Sequence, residues 1–439
     1  MEKKFTSLDR YFSCKAKYIE PDRYRNLLTL DNTKKYIAQG SGISYVPASF
    51  GRSSQVINLR SFDRILYFNK DEKNIVVEGG ITIGKLYNFL TQHKLCLPVQ
   101  PGHPQITIGG CIACNIFGKN QVRHGLFSAS VIEIQLYHPL HGVLSLSGDE
   151  NSEIFELTCG GFGLTGIIIS AKLRLSHIEG DVITHNIKVD NLLDTFNALN
   201  DLRDKSDLLY TWNDLSTFGR KFGRGFIISG NFSRSDPALR ESHSFKELSP
   251  HKIKLFNLKI FNRLTTSLLN TAYFIQNTRL RPNREISFFE FSYPVADKIL
   301  YFNMYGKKGF IEQQILVQRD ACEEYLREFE SLVKQHRPLV VLCSCKAFSG
   351  KRKLLNFNGD GIVLSIDVPN LQGYKDFFVQ LDLLNIKFSA IDNICKDSRI
   401  TKEVVREQYK EGYDEFKERL HGFDPKRLFV SELSERLGL

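Results

Sequence analysis

Pro101-Gly102-His103-Pro104-Gln105-Ile106-Thr107-Ile108-Gly109-Gly110 is the stretch on which the reading of this chain turns, and Cys111-Ile112-Ala113-Cys114-Asn115-Ile116-Phe117-Gly118-Lys119-Asn120 follows it directly. Two further glycine clusters lie on either side. One is Gln39-Gly40-Ser41-Gly42-Ile43-Ser44-Tyr45, after a strand-like run; the other is Cys159-Gly160-Gly161-Phe162-Gly163-Leu164-Thr165-Gly166-Ile167. Glycine lets backbone N–H groups approach a ligand and adopts positive φ without strain. Successive N–H groups beside Ser or Thr hydroxyls form a nest suited to a diphosphate. One such loop is weak evidence, because ordinary turns use the same residues. Three in one unit favour a large nucleotide cofactor. The first loop is not a Rossmann fingerprint, since no Gly-x-Gly-x-x-Gly opens a helix, and no Gly-Lys-Ser/Thr makes it a Walker loop.

Outward from these loops the texture is short apolar runs. Tyr36-Ile37-Ala38, Val56-Ile57-Asn58-Leu59, Ile65-Leu66-Tyr67-Phe68, Asn74–Glu78, Val131–Tyr137 and Ile167–Leu175 read as strands. Ile83–Leu90 has helical spacing, and a short acidic helix starts at Asp149–Glu153 and ends before Gly160-Gly161. Residues 1–30 read as an N-terminal arm, so 1–175 is expected to be one α+β unit with its glycines in loops. Residues 180–235 mix strands with a helix around Leu192–Leu202. Strand-like runs follow at Ile286–Tyr293, Ile311–Val317, Leu339–Phe348 and Ile362–Val368, with helices over Asp320–Gln335 and Leu371–Leu384. The tail from Thr401 is helical and charged, with a stop near Gly422 and Pro425. No internal repeat at a fixed period is visible.

The chain has 439 residues, with 42% apolar and 25% charged residues, which is ordinary globular composition. That length suggests two or three domains. The longest apolar runs are too short to span a bilayer, and Met1–Phe5 lacks the apolar core of a secretory signal. Cytoplasmic residence is therefore expected, with peripheral contact at the inner membrane left open. Nine scattered cysteines do not form a disulfide framework and fit a reducing compartment. The net charge of +10 permits contact with phosphate groups or an anionic membrane but does not require nucleic acid. No zinc-finger spacing or RNA-recognition signature is present. Cys111-x-x-Cys114 is half a metal motif without its second half, so no metal is expected.

Residues 251–284 carry seven Lys or Arg and no Asp or Glu, among many Leu, Ile and Phe. They read either as a solvated loop over a substrate channel or as an amphipathic segment resting on an anionic membrane, with Leu255, Phe256, Leu258, Phe261 and Leu264 inward.

The order of motifs resembles flavoproteins of the vanillyl-alcohol-oxidase/p-cresol-methylhydroxylase type. It runs strand, Gly-x-Gly-x-Ser-Tyr, Pro-Gly…Thr-x-Gly-Gly-x-Ile-Ala, Gly-Lys-Asn, then Gly-Gly-x-Gly-Leu-Thr-Gly-Ile. Cys395-Lys396-Asp397-Ser398-Arg399, Tyr409 and Asp424-Pro425-x-Arg427-x-Phe429-x-Ser431 add the most specific similarity, to the decaprenylphosphoryl-β-D-ribose 2-oxidase family. The resemblance spans 36–439 and is weaker in the middle. It implies a two-domain FAD-binding fold of α+β class. Residues 1–175 would form the first part of the FAD domain, 176–390 an inserted substrate domain of antiparallel sheet and helices, and 391–439 the completing segment.

By the same resemblance the FAD diphosphate would lie at Gly40, Ser41, Gly42, Ile43, Ser44 and Tyr45 and at Gly102, Thr107, Gly109 and Gly110. Cys114, Gly118 and Ile167 would be further cofactor contacts, and Asn393 would approach the flavin ring. Many relatives in the wider class tether the flavin through a histidine near the first loop; this loop has Gln39, so non-covalent FAD is expected. Lys396 matches the family's active-site lysine. Gln314, Lys346 and Lys119 match positions facing the sugar or its phosphate. The sequence departs from the family at Phe117, Glu312, Asn393, Ser365 and Met304, which bears on the sugar and the carrier more than on flavin chemistry.

The implied reaction is oxidation of the 2-hydroxyl of a polyprenyl-phosphoryl pentose by hydride transfer to flavin N5. It is the first half of an epimerisation to the arabinose form for the cell envelope, completed by an NAD(P)H-dependent short-chain reductase. A soluble sugar or aldonolactone oxidase or dehydrogenase of the same class, and a non-catalytic binding protein on this fold, remain as alternatives.

Overall fold

A computed structural model describes residues 2–233, 245, 260–294 and 299–439. The chain is α+β and builds its first half from two larger sheets and a two-stranded pairing of Leu95–Cys96 with Ser176–His177. In the four-stranded sheet, Tyr36–Gln39 and Ser13–Ile19 both pair in parallel with Gln55–Asn58, and Glu2–Thr6 pairs antiparallel with Ser13–Ile19. The N-terminal residues are thus not an arm. Phe5, Cys14 and Ala16 alternate inward with charged residues outward, the period of two that makes a half-buried strand. The second sheet is antiparallel, with Asn74–Glu78, Ile167–Arg174 and Val131–His138 at its centre.

The second half is an eight-stranded sheet. Its strands run, edge to edge, Asn283–Ile286, Val182–Val189, Arg224–Phe232, Leu208–Asp214, Leu342–Phe348, Gly361–Pro369, Phe310–Gln318 and Ile391–Asp392. Alternation sorts its two faces. Ile315, Val317, Cys343, Cys345, Ile362, Leu364 and Ile366 pack beneath helices Leu192–Leu202, Cys322–His336 and Lys375–Lys387. Leu316, Leu342, Phe348 and Val363 face the core of the first half.

Local chemistry sets the element ends. Asn191 caps helix Leu192–Leu202 by accepting from Asp194 N–H, as Thr82 and Thr107 do for Ile83–Thr91 and Ile108–Ala113. Residues 286–293 are the clearest departure from the sequence reading. Extended structure stops at Ile286, and Phe288–Ser292 is a helix, because Ser287 and Glu290 form a reciprocal capping box.

The C-terminal tail returns to the first half. Val430 N–H donates to Tyr36 O at 2.9 Å, and Tyr36 N–H donates to Leu428 O at 2.7 Å. Tyr409, Tyr413, Phe416 and Leu433 share one core with Val56, Ile112 and Leu164. Between sheet and tail, the turn after Asp392 is fastened by charge. Arg399 grips Asp382 with two bonds of 2.6 Å and Asp397 at 2.9 Å. Asp392 accepts from Gln408 at 2.6 Å and from Gln313 at 2.9 Å, and burial raises its carboxyl to about 7.

All nine cysteines are thiols. Among the described residues no helix is long and apolar enough to cross a membrane, and no cluster of three metal-ligating side chains occurs. Of the basic stretch, 251–259, with Leu255, Phe256 and Leu258, lies outside the described residues.

Removing Arg399 leaves two buried carboxylates facing each other. Arg399→Met is expected to cost about 3–5 kcal/mol, the scale of breaking a buried ion pair. The readout is a lower urea midpoint, with Arg399→Lys falling between wild type and Met.

Candidate active site

The three glycine loops converge on one cavity of about 340 Å³. Gly40, Ser41, Gly42, Ile43, Ser44 and Tyr45 form one wall. Gly102, Thr107, Gly109, Gly110 and Cys114 form another, and Phe162, Gly163, Gly166 and Ile168 a third. Gly40 is where the first two loops meet: a Cβ there would lie 2.2 Å from Thr107 Oγ1. Gly42 takes φ +68°, which turns the chain back toward the cavity.

Among the described residues, none of the N–H groups of Ser41 to Tyr45 donates to a protein acceptor. A run of amides in a cavity wall without internal partners is the donor set that an anionic group needs. Arg60 adds positive charge behind it, with Nη1 3.3 Å from Ser41 Oγ. The site fits a nucleotide diphosphate.

Lys396 enters this cavity from the C-terminal turn, beside Cys395. Its ammonium lies 3.5 Å from the centre of the Tyr45 ring and 3.2 Å from Glu312 Oε1. Tyr45 is held edge-on by Phe310 and Phe302, and Phe302 also lines the cavity. Glu312 in turn accepts from Gln314 Nε2 at 2.6 Å, and Gln314 accepts from Asn393 Nδ2 at 2.9 Å. Lys396 N–H closes the turn on Asn393 O at 2.9 Å. Glu312 and Gln314 are two residues apart on one strand and so share the face toward the first half.

Asp367 pairs with Glu312 across the sheet and accepts from Tyr301 Oη at 2.6 Å; the Tyr305 hydroxyl meets that of Tyr301 at 2.5 Å. Burial and the neighbouring Glu312 charge raise the Asp367 carboxyl well above the usual range. Cys114 and Cys395 meet at the cavity wall.

Several residues singled out in the sequence stand elsewhere. Ile167 is fully buried among Tyr36, Leu59 and Phe62, because on a strand it points away from its wall-lining neighbour Ile168. Gly118 lies outside the wall and packs on the Gln100 backbone. Asn393 shapes the turn behind Lys396 instead of lining the cavity. Lys119 is also outside: its ammonium donates to Phe291 O at 2.5 Å and Ser292 O at 2.8 Å, and burial depresses it well below the usual lysine range. Lys346 sits on the sheet face with its ammonium 4.9 Å from the centre of the Phe117 ring. Burial, then the Lys396 charge, lowers it to about 8.

Arg60, Phe302, Tyr301 and Asp367 were not foreseen. Arg60 and Asp367 had no local signal. The aromatic cluster Tyr301-Phe302…Tyr305 was visible, but nothing in it named its partners.

Comparison with known proteins agrees with this geometry. Residues 28–144 match the FAD binding domain family. The chain is 27% identical to decaprenylphosphoryl-β-D-ribose oxidase of Mycolicibacterium smegmatis, over 92% of this chain and 89% of that protein. It is 21% identical to L-gulonolactone oxidase of Mus musculus over 87% and 85% of the two chains. It is also 29% identical to the mitochondrial L-galactono-1,4-lactone dehydrogenase of Brassica oleracea, over 35% and 25%. The chain carries an FAD-binding domain, and FAD is its cofactor. It is an FAD-dependent oxidoreductase acting on CH–OH groups.

Gln39, at the start of the first loop, turns its amide to Ser49 and offers no nucleophile to a flavin. Acid precipitation of the purified protein is expected to release the yellow colour into the supernatant. Colour kept in the pellet would instead point to attachment through His103 or Cys114, which line the cavity.

Proposed function

We propose that this enzyme oxidises the 2-hydroxyl of a polyprenyl-phosphoryl pentose, a ribose, to the 2-keto sugar. The observation that carries the reading is Lys396, set in the flavin cavity on the C-terminal segment whose sequence is most specific to that family. The similarity to the ribose oxidase over nearly the whole of both chains supports it.

When bound, FAD would supply the acceptor for the hydride leaving the sugar carbon. The chain's own residues handle the proton and the charge. As the C–H bond breaks, negative charge grows on the hydroxyl oxygen, and the Lys396 ammonium stabilises it. The Glu312 carboxylate, 3.2 Å from that ammonium, takes the hydroxyl proton. Gln314 and Asn393 hold Glu312 and the Lys396 turn in register, and Tyr45 gives the ammonium a flat support. Two electrons and one proton leave as hydride, and the second proton leaves to the protein, so the carbinol becomes a ketone. Lys346, with Phe117 against it, lies beyond Lys396 and is the cation proposed for the sugar phosphate. A keto sugar on a lipid phosphate needs a reductase to complete an epimerisation to arabinose, so an NAD(P)H-dependent short-chain reductase is the proposed functional partner, in envelope glycan synthesis.

A second reading is a sugar or aldonolactone oxidase or dehydrogenase without a lipid carrier. The similarity to the gulonolactone and galactonolactone enzymes favours it.

The deciding experiment is anaerobic mixing of the yellow enzyme with polyprenyl-phosphoryl ribose, and separately with free aldonolactones. Bleaching by the lipid-linked sugar alone is expected; bleaching by a lactone alone would establish the second reading. Lys396→Met is expected to keep the flavin and slow the bleaching by about 10²–10³-fold, the scale of losing one charge-stabilising donor.

The Lys346 value of about 8 sets a pH dependence. Its cation is present below that pH and lost above it, so KM for the phosphorylated substrate should rise through about pH 8. Lys346→Met should raise KM at neutral pH and remove this alkaline limb; a limb that persists in the variant would assign it to another group.

A further inference from the structure

Helix Arg263–Ile275 and the turn Gln276–Leu280 after it are packed inside out. The buried side is mostly polar: Thr266, Asn270 and Asn277 point inward with Phe274, and Asn270 Nδ2 donates to Asp214 Oδ1 at 2.9 Å. The apolar side chains point outward. Leu264 is 70% exposed, Leu268 63% and Leu280 72%, with Leu269, Tyr273 and Ile275 beside them. A water-facing helix of a globular protein shows the reverse arrangement. At 100° per residue these outward positions share one half of the helix circumference, so they form one band.

Among the described residues positive charge predominates beside the band, with Glu285 the exposed acid that follows Arg284. Arg263, Arg279, Arg281 and Arg284 are exposed, and the sequence from 251 to 284 holds seven basic residues and no acidic one. The helix is held at its ends by an Asn262–Thr265 capping box and by Arg284 Nη2 on Asn277 Oδ1 at 2.5 Å. It is therefore a fixed platform that presents leucines within a basic rim.

We infer that this face docks on the surface of an anionic bilayer, with Leu264, Leu268, Leu269 and Leu280 entering the headgroup–acyl boundary and the arginines meeting lipid phosphates. Apolar burial together with attraction to anionic lipid is the combination that holds an interfacial helix. Charge selects this occupant over a second copy of the chain, since two such rims would repel each other. The docking face does not depend on the identity of the sugar. It would, however, place the enzyme at the interface where a lipid-linked substrate resides.

The test is co-sedimentation of the flavin-loaded enzyme with phosphatidylglycerol vesicles and with phosphatidylcholine vesicles, in the absence of substrate. Pelleting with the anionic vesicles only, weakening as salt is raised, is expected. The double variant Leu264→Glu/Leu268→Glu should keep its yellow colour and melting temperature and lose at least about ten-fold in partitioning. Arg279→Gln, Arg281→Gln and Arg284→Gln should each weaken it by about five-fold.

Wild-type enzyme that stays in the supernatant, or a double variant that pellets equally well, would overturn the inference. So would a double variant that loses colour and melts earlier, since the face would then be covered by the protein itself. Wild-type dimers that the variant dissociates, without vesicle binding, would assign the face to a second copy. Because the vesicles carry no sugar, docking and the oxidation proposed above succeed or fail separately.

Discussion

The grip of Arg399 on Asp382 and Asp397 is the constraint on which the site depends. The eight-stranded sheet and the glycine-rich first half are built from different stretches of chain, and Lys396 has to reach from one to the other. Its turn leaves the last strand at Asp392 and would have many conformations if left to itself. A planar guanidinium that satisfies two carboxylates with forked bonds admits few. With the turn fixed, Lys396 N–H closes on Asn393 O, and the ammonium is delivered over the Tyr45 ring. Lys396 is thus placed by a neighbouring ion pair that does not line the cavity.

The same economy governs the carboxylates beside Lys396. Strand period alone puts Glu312 and Gln314 on one face, and antiparallel register sets Asp367 beside Glu312. Two carboxylates in a poorly hydrated site cannot both carry charge cheaply. Lys396 balances Glu312, while Asp367 is pushed toward its protonated form and bonded by Tyr301. Lys346 responds to the same field from the other side, its proton loosened by burial and by Lys396. Asp367 and Lys346 are thus shifted in opposite directions, the carboxyl held toward its protonated form and the ammonium made easier to deprotonate.

The flavin half and the helix Arg263–Ile275 obey opposite rules. In the cavity, polar backbone donors without protein partners line a space suited to an anion, and apolar side chains pack behind them. On the helix, polar side chains are spent inward on Asp214 and the neighbouring strands, and leucines are left outside. Both are departures from the pattern of a plain soluble domain, and both lie where an external ligand would supply the missing contacts.

Strands with a short apolar run and helices with a cap were legible in the sequence, because their signals are local. Tyr36–Gln39, Val131–His138, Leu192–Leu202 and Phe310–Gln318 are of this kind. So were the glycine loops and Lys396, since turns and motifs are written in consecutive residues. Ile286–Tyr293 misled because an aromatic run suits a strand or a buried helix equally, and only the Ser287–Glu290 box decides. The N-terminal strands were missed because the pair Glu2–Thr6 and Ser13–Ile19 joins the sheet only through Gln55–Asn58, about forty residues further on. What only the tertiary structure decided was adjacency: Glu312 against Lys396, Arg60 behind Ser41, Lys119 turned to the 291–292 carbonyls, and leucines of an apolar stretch facing out. A sequence fixes which groups the chain possesses and their local spacing. Which of them meet across a sheet or between the two chain ends is set by packing, and the field each one feels exists only once they have met.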